Sequence, residues 1–150
     1  MPYFENCINP ETKEVLKAQL PTRADYGSAG YDFYMPRDIN ILPGETVLIP
    51  TNVKAHMRID EVLLLYVRSS IGIKRRCVLA NGTGVIDSTY FGNPDNDGNI
   101  TIALTNLSDR IQTFNKGERV MQGVFVKYLI TVDDQPLSKT RKGGIGSSGV

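Results

Sequence analysis

What most constrains this chain is the lack of any long helical pattern: no apolar stripe with a 3.6-residue period runs for more than about two turns. Short runs rich in Val, Ile, Leu, Thr and Tyr recur instead, at "ETVLIPTNV" (45–53), "EVLLLYV" (61–67), "NITIALTNL" (99–107) and "RVMQGVFVKYLI" (119–130). Branched and aromatic side chains suit a pleated, half-buried surface, so these runs read as strands. Turn signals punctuate them: "LPG" (42–44), "NGTG" (81–84), "NPDNDGN" (93–99) and "NKG" (115–117). "ITIALTN" alternates strictly, with Ile100, Ile102 and Leu104 on one face and Thr101, Ala103 and Thr105 on the other. A short helix is expected only in "SSIGIKRR" (69–76), where a serine can cap the start. Without helices between strands, a doubly wound nucleotide fold is disfavoured. The expected class is all-β, a sandwich or barrel with Greek-key or jelly-roll connections.

At 150 residues, 41% hydrophobic and 22% charged, the chain suits one domain with its own core. A net charge of +1 argues against a dedicated nucleic-acid binder. Cys7 and Cys77 form neither a disulfide framework nor a metal-ligand spacing, so they read as reduced cysteines of a cytosolic protein. His56, the single histidine, cannot build a multi-histidine zinc site, and a packing or surface use is expected. "MPYFENCINP" holds Pro, Glu and Asn where a signal peptide needs an apolar core, and no apolar run approaches ~20 residues. Neither secretion nor a membrane span is therefore expected, which points to the cytoplasm.

Three internal stretches and one terminal stretch carry candidate chemistry. In "GVIDSTYFG" (84–92), Val85 and Ile86 lead a buried strand into Asp87, with Tyr90 a few residues on. A carboxylate ending an apolar strand is costly unless paired or functional, so Asp87 reads either as an Asx-turn or as a general base for water. In "YVRSSIG" (66–72), Arg68, Ser69 and Ser70 read either as a helix cap with an exposed arginine or as groups around phosphate oxygens. "SAGYDFYMP" (28–36) sets Asp32 between two aromatics after a glycine turn. The stretch "RKGGIGSSGV" (141–150) matches G-x-G-x-x-G at Gly144, Gly146 and Gly149. That fingerprint needs a helix behind it, which is not expected with Val150 alone following. From composition the segment after Thr131 reads as a disordered end, or as an arm whose Arg141, Lys142, Ser147 and Ser148 meet an anion.

Taken in order, these stretches resemble the five motifs of the trimeric dUTP pyrophosphatase family: "AGYDFY" (29–34), "RSSIG" (68–72), "NGTGVIDSTYFG" (81–92), "GERVMQG" (117–123) and "RKGGIGSSG" (141–149). The resemblance spans roughly residues 20 to 150. It implies a distorted jelly-roll-like barrel over residues 1–130 with at most one short helix, and an arm, 131–150, that completes a neighbouring subunit's site in a homotrimer. It implies a magnesium-dependent hydrolysis of dUTP to dUMP and pyrophosphate, which limits uracil incorporation into DNA and supplies dUMP for dTMP synthesis. By resemblance, Asp87 orients and deprotonates the water and touches the 3′-OH, while Tyr90 packs on the deoxyribose and leaves no room for a 2′-OH. Asn81 and the backbone of Gly84, Val85 and Ile86 would read uracil. Arg68, Ser69 and Ser70 would hold phosphate oxygens, and Gln122 would stand beside the α-phosphate and the water. Asp32 would support Mg2+ through its water shell. Arg141, Ser147 and Ser148 would grip the outer phosphates, with Ile145 and Gly146 in the closing arm.

Some positions depart from that family. Ile145 replaces the aromatic that stacks on uracil, which implies weaker arm closure. Met121 replaces a smaller alanine before Gln122, and "NPDND" (93–97) reads as an inserted surface loop. A dCTP deaminase shares much of the pattern, but its proton-shuttling glutamate would fall at Ala103, whose methyl cannot move protons. A dUTP-gated regulatory protein using the same site is the other reading, as an addition to catalysis.

Overall fold

The computed structural model describes residues 1–138. Among these, the chain forms β1 (Tyr3–Asn6), β2 (Thr22–Arg23), β3 (Tyr31–Tyr34), β4 (Ile39–Ile41), β5 (Thr46–Pro50), β6 (Val53–His56), β7 (Glu61–Val67), β8 (Cys77–Leu79), β9 (Gly84–Asp87), β10 (Thr101–Asn106), β11 (Gln112–Phe114) and β12 (Arg119–Lys127). The largest sheet has the order β2-β3-β12-β7-β9, antiparallel throughout. A three-stranded sheet, β5-β10-β8, and the pairs β4-β11 and β1-β6 complete an all-β, distorted jelly-roll-like barrel.

Strand alternation explains the closure. Ile102 and Leu104 of β10 are fully buried while their neighbours are half-buried, as the alternating sequence predicts. They meet Ile41, Ile49, Leu63, Phe114 and Val120 in one apolar cluster to which all four sheets contribute, β6 through Val53 and Ala55. His56 is used in packing: its ring stacks on Tyr3 at 4.7 Å and meets Phe91 edge-on. Cys7 and Cys77 are free thiols in the core, and burial pushes the Cys7 thiol up to about 12.

Two expected strands are shorter than the sequence suggests. The 45–53 run breaks after Pro50, where Asn52 takes a left-handed φ of 63° and the Thr51 hydroxyl donates to the Ile100 carbonyl at 2.6 Å. The 119–130 run ends at Lys127, and Leu129 turns out to solvent. The expected helix appears as a single π-helical turn, Ser70–Lys74. Its start is not capped by a serine side chain: Ser69 is itself helical, and the Arg68 carbonyl accepts from the N–H groups of Ile71 and Gly72. A 3-10 turn, Ser88–Tyr90, follows β9. No helix among the described residues is long and apolar enough to cross a membrane.

Candidate active site

The Asn81 to Tyr90 segment lines a cleft of about 580 Å3 between β9 and the three-stranded sheet. β9 is the terminal strand of its sheet, so the backbone groups on its outer edge take no part in the ladder. Gly84 brings it hard against β7, for a Cβ there would stand 2.9 Å from the Leu65 Cβ. Ile86, opposite Leu63, packs on the core, whereas Val85, opposite Leu64, is 58% exposed. The expectation that Val85 lies in a buried strand is therefore corrected: an edge strand covers only one of its faces.

Asp87 closes β9, and its carboxylate reaches the surface without capping the turn that follows. Tyr90 ends the same turn with 6% exposure, its hydroxyl donating to the Asn99 carbonyl at 2.9 Å and accepting from the Asn96 amide at 2.7 Å. Asn81 is exposed at the cleft rim, in a turn where Gly82 adopts a φ of 72°. Ala103 lies on the opposite wall, so the position at which a deaminase needs a carboxylate presents a methyl. Met121 also borders the cleft, 1% exposed and paired with Phe33 and Val67; the core takes the larger side chain directly.

A second cluster forms at the other end of β7. Asp32 of β3 faces Gln122 of β12, which faces Tyr66 of β7. The Asp32 carboxylate, 6% exposed, sits between the Arg68 Nε at 3.3 Å and the Arg119 Nη1 at 3.4 Å. Arg68 also donates to the Arg119 carbonyl at 3.1 Å. Ser69 and Ser70 begin the π-helical turn directly after it. The sequence reading did not single out Arg119 or Gly30. Gly30 matters because a Cβ there would stand 2.5 Å from the Gln122 Oε1, so its lack of a side chain makes room for that amide. The glycine was visible in "AGYDFY"; the arginine gives no signal before β3 and β12 pair.

Asp87 and Val85 share the outer face of the large sheet with Asp32 and Gln122, because directly opposed strand residues point the same way. Asp87 is opposite Val62, while Gln122 is opposite Tyr66, four positions along β7. At ~3.3 Å per residue and ~4.8 Å per strand, the backbones are roughly 16 Å apart. Within one chain, then, the phosphate candidates Arg68, Ser69, Ser70, Gln122 and Asp32 come together, as do Asn81, Gly84, Val85, Ile86, Asp87 and Tyr90. The structure does not bring the two groups to one point. Arg141, Ile145, Gly146, Ser147 and Ser148 lie outside the described residues. No group of three or more His, Cys, Asp or Glu side chains gathers for a metal among the described residues.

Residues 16–149 match the family model described as dUTPase. The deoxyuridine 5′-triphosphate nucleotidohydrolase of Lactococcus lactis subsp. lactis is 44% identical over 131 residues, covering 87% of each chain. The crystal structure of dUTPase from Streptococcus mutans superposes with a TM-score of 0.75 at 39% identity, covering 85% of this chain and 97% of that one. A dUTPase from phage phi11 of S. aureus, in which a structural Mg(II) ion is coordinated, shares the fold at 21% identity, a TM-score of 0.71 and coverage of 92% and 97%.

Proposed function

Because the chain belongs to the dUTPase family, we propose that it is a dUTP diphosphatase, cleaving dUTP to dUMP and pyrophosphate. The observation that carries this reading is the cleft beside β9, the terminal strand of its sheet, with Asp87 at its mouth and Tyr90 as its wall. Backbone groups on the outer edge of Gly84, Val85 and Ile86, which the sheet ladder does not use, suit the O4 acceptor and N3–H donor of uracil. Cytosine reverses both and would leave them unpaired.

In the reaction, Asp87 takes a proton from water as the water oxygen bonds to the α-phosphorus. The bond from that phosphorus to the bridging oxygen breaks, and pyrophosphate leaves with the electron pair. Gln122 orients the water and the α-phosphate, and Arg68, Ser69 and Ser70 hold phosphate oxygens. The donor set around Asp32 is one carboxylate already shared by two guanidiniums, which does not suit direct metal coordination but fits an ion carried on the triphosphate. Asp32 would hold Mg2+ through its water shell, and the ion supplies charge to the phosphates.

The roughly 16 Å between the clusters supports a site shared between copies, in a homotrimer with cyclic symmetry. The 131–150 segment then acts as an arm across a neighbour's triphosphate, with Arg141, Ser147 and Ser148 on the outer phosphates and Ile145 and Gly146 over the base. Deleting residues 141–150 is expected to abolish most turnover at an unchanged Tm; a large fall in Tm would make the segment structural. Incubating the purified protein with dUTP, dCTP and dUMP, with pyrophosphate and ammonia both assayed, tests the activity. Pyrophosphate from dUTP alone is the expected result, and ammonia from dCTP would overturn it.

A further inference from the structure

The loop between Tyr90 and β10, which the sequence presents as a polar surface insertion, is only partly at the surface. Pro94 and Asp95 are exposed, but Asn93 and Asn99 are 4% and 8% exposed. Its polar residues are spent on internal bonds: the Asn93 carbonyl accepts from the Asp97 N–H at 2.7 Å, and the Asn96 Oδ1 accepts from the Gly98 N–H at 3.0 Å. Gly98 passes so close to Tyr90 that a Cβ would stand 2.5 Å from the tyrosine carbonyl. The loop is also bolted to the opposite pair of strands. The Asp97 Oδ2 accepts from the buried Lys54 ammonium and from the Ile8 N–H, each at 2.7 Å, and Asn99 exchanges two hydrogen bonds with Asn52. Burial opposes the Lys54 charge, but Asp97 and Glu5 overcome it and hold the ammonium above its ordinary range.

We infer that this loop is a specificity element, in which the Asn96 amide and the Asn99 carbonyl fix the Tyr90 hydroxyl and so stiffen the wall that excludes a ribose 2′-hydroxyl. The inference rests on Tyr90 facing the sugar, as in the proposed function. A wall rejects one extra oxygen only if it cannot yield, because a ring free to tilt relieves the clash at little cost. The ring is held at its far end by two hydrogen bonds from one loop, and that loop is anchored by a buried ion pair to another sheet. Asn96 is thus a positioning residue, acting through Tyr90.

The test compares kcat/KM for dUTP and UTP in the full-length protein and in Asn96→Ala, Tyr90→Phe, the double variant and Tyr90→Ala. Asn96→Ala is expected to lower the dUTP:UTP ratio about tenfold, the scale of one lost hydrogen bond, chiefly by raising UTP turnover. A rise in UTP turnover is something that mere destabilisation does not produce. Tyr90→Phe removes both hydroxyl contacts and should lower the ratio at least as far, and adding Asn96→Ala to it should change nothing further, since the Asn96 contact is already lost with the hydroxyl. An unchanged ratio in Asn96→Ala while Tyr90→Ala collapses it overturns the inference and leaves the site reading intact. An unchanged ratio in Tyr90→Ala overturns the site reading as well. Full additivity in the double variant also overturns the inference, because Asn96 would then act independently of the hydroxyl. If Asn96→Ala does not fold, Tyr90→Phe leaves the loop's own bonds in place, and an unchanged ratio there is decisive against it.

Discussion

The cleft beside β9 and the Asp32–Arg68–Arg119 cluster hang from one strand, β7, yet they are built on opposite plans. In the cleft, β9 is pressed against β7 at Gly84 and the Tyr90 hydroxyl is bonded twice. Its lining is mostly apolar, with Asn81 and Thr101 as neutral polar side chains and Asp87 at the mouth as its one charged residue among the described residues. In the cluster, the single Asp32 carboxylate lies between two guanidiniums whose side chains are 29% and 44% exposed, which leaves a net positive charge. The cleft is finished before substrate arrives, as discrimination by shape requires. In the proposed function, the cluster would exchange arginine–carboxylate contacts for arginine–phosphate ones. Long exposed side chains can make that exchange, and a triphosphate brings more negative charge than the single carboxylate it displaces.

The sharpest way to break this comparison is to disable each side separately. Asp87→Asn is expected to lower turnover by ~10²–10⁴-fold with nucleotide binding retained, since it removes the base and keeps the shape. Arg68→Ala should instead weaken binding. If the two clusters meet only between copies of the chain, mixing the two variants under exchange conditions, at a dUTP concentration too low for Arg68→Ala to turn over, rebuilds sites from one intact half of each. About a quarter of sites are restored on random pairing in a cyclic assembly. No recovery of activity would place both clusters in one chain's own site.

That separation also marks what the sequence could say. β7 and β10 were legible because a strand's alternation is local: Glu61–Val67 is found with the expected bounds, and Ile102 and Leu104 lie on the buried face. β2, β4 and β11 are two or three residues long, and pairing partners, not propensity, define them. The site was legible where glycine or a charged residue stood in a recognisable motif, as at Gly84, Asp87 and Arg68. Arg119 was not, because its role exists only through the register of β12 on β3. Nor was the buttressing of Tyr90, since nothing local distinguishes a polar loop that bonds inward from one that faces water.

Two glycines sharpen the contrast with smaller effects. Gly30→Ala brings a Cβ to 2.5 Å from the Gln122 Oε1, the far end of a flexible side chain. The amide can yield, so Tm should hardly move, while kcat falls about 100-fold from misplacing the group beside the reacting atoms. Retained kcat would make Gln122 a bystander. Gly84→Ala meets the Leu65 Cβ at 2.9 Å, an atom fixed to the sheet. Here β9 itself must shift, costing ~1–3 kcal/mol of stability and, at ~2–4 °C per kcal/mol, several degrees of Tm. An unchanged Tm would show that the cleft is as yielding as the phosphate cluster.

The smallest effect tests the cluster's compliance directly. Arg119→Gln removes one of the two guanidiniums on Asp32 but leaves the other, the Arg68 Nε, at 3.3 Å. The carboxylate therefore keeps a compensating charge, and the lost pair is one whose arginine is 44% exposed. Solvent screens such pairs, and their contribution to stability is ~0–1 kcal/mol. Thermal denaturation should shift by no more than a few degrees at low salt and by less at high salt, where the pair is already weakened. Substrate binding should weaken more clearly, because Arg68, now the one guanidinium on Asp32 among the described residues, is less free to turn toward phosphate, so KM for dUTP should rise without a matching loss of kcat. A loss of several kcal/mol in the same variant would mean that Asp32 is a structural ion whose arginines cannot be spared, and the division between a rigid selector and a compliant charge-binder would not hold.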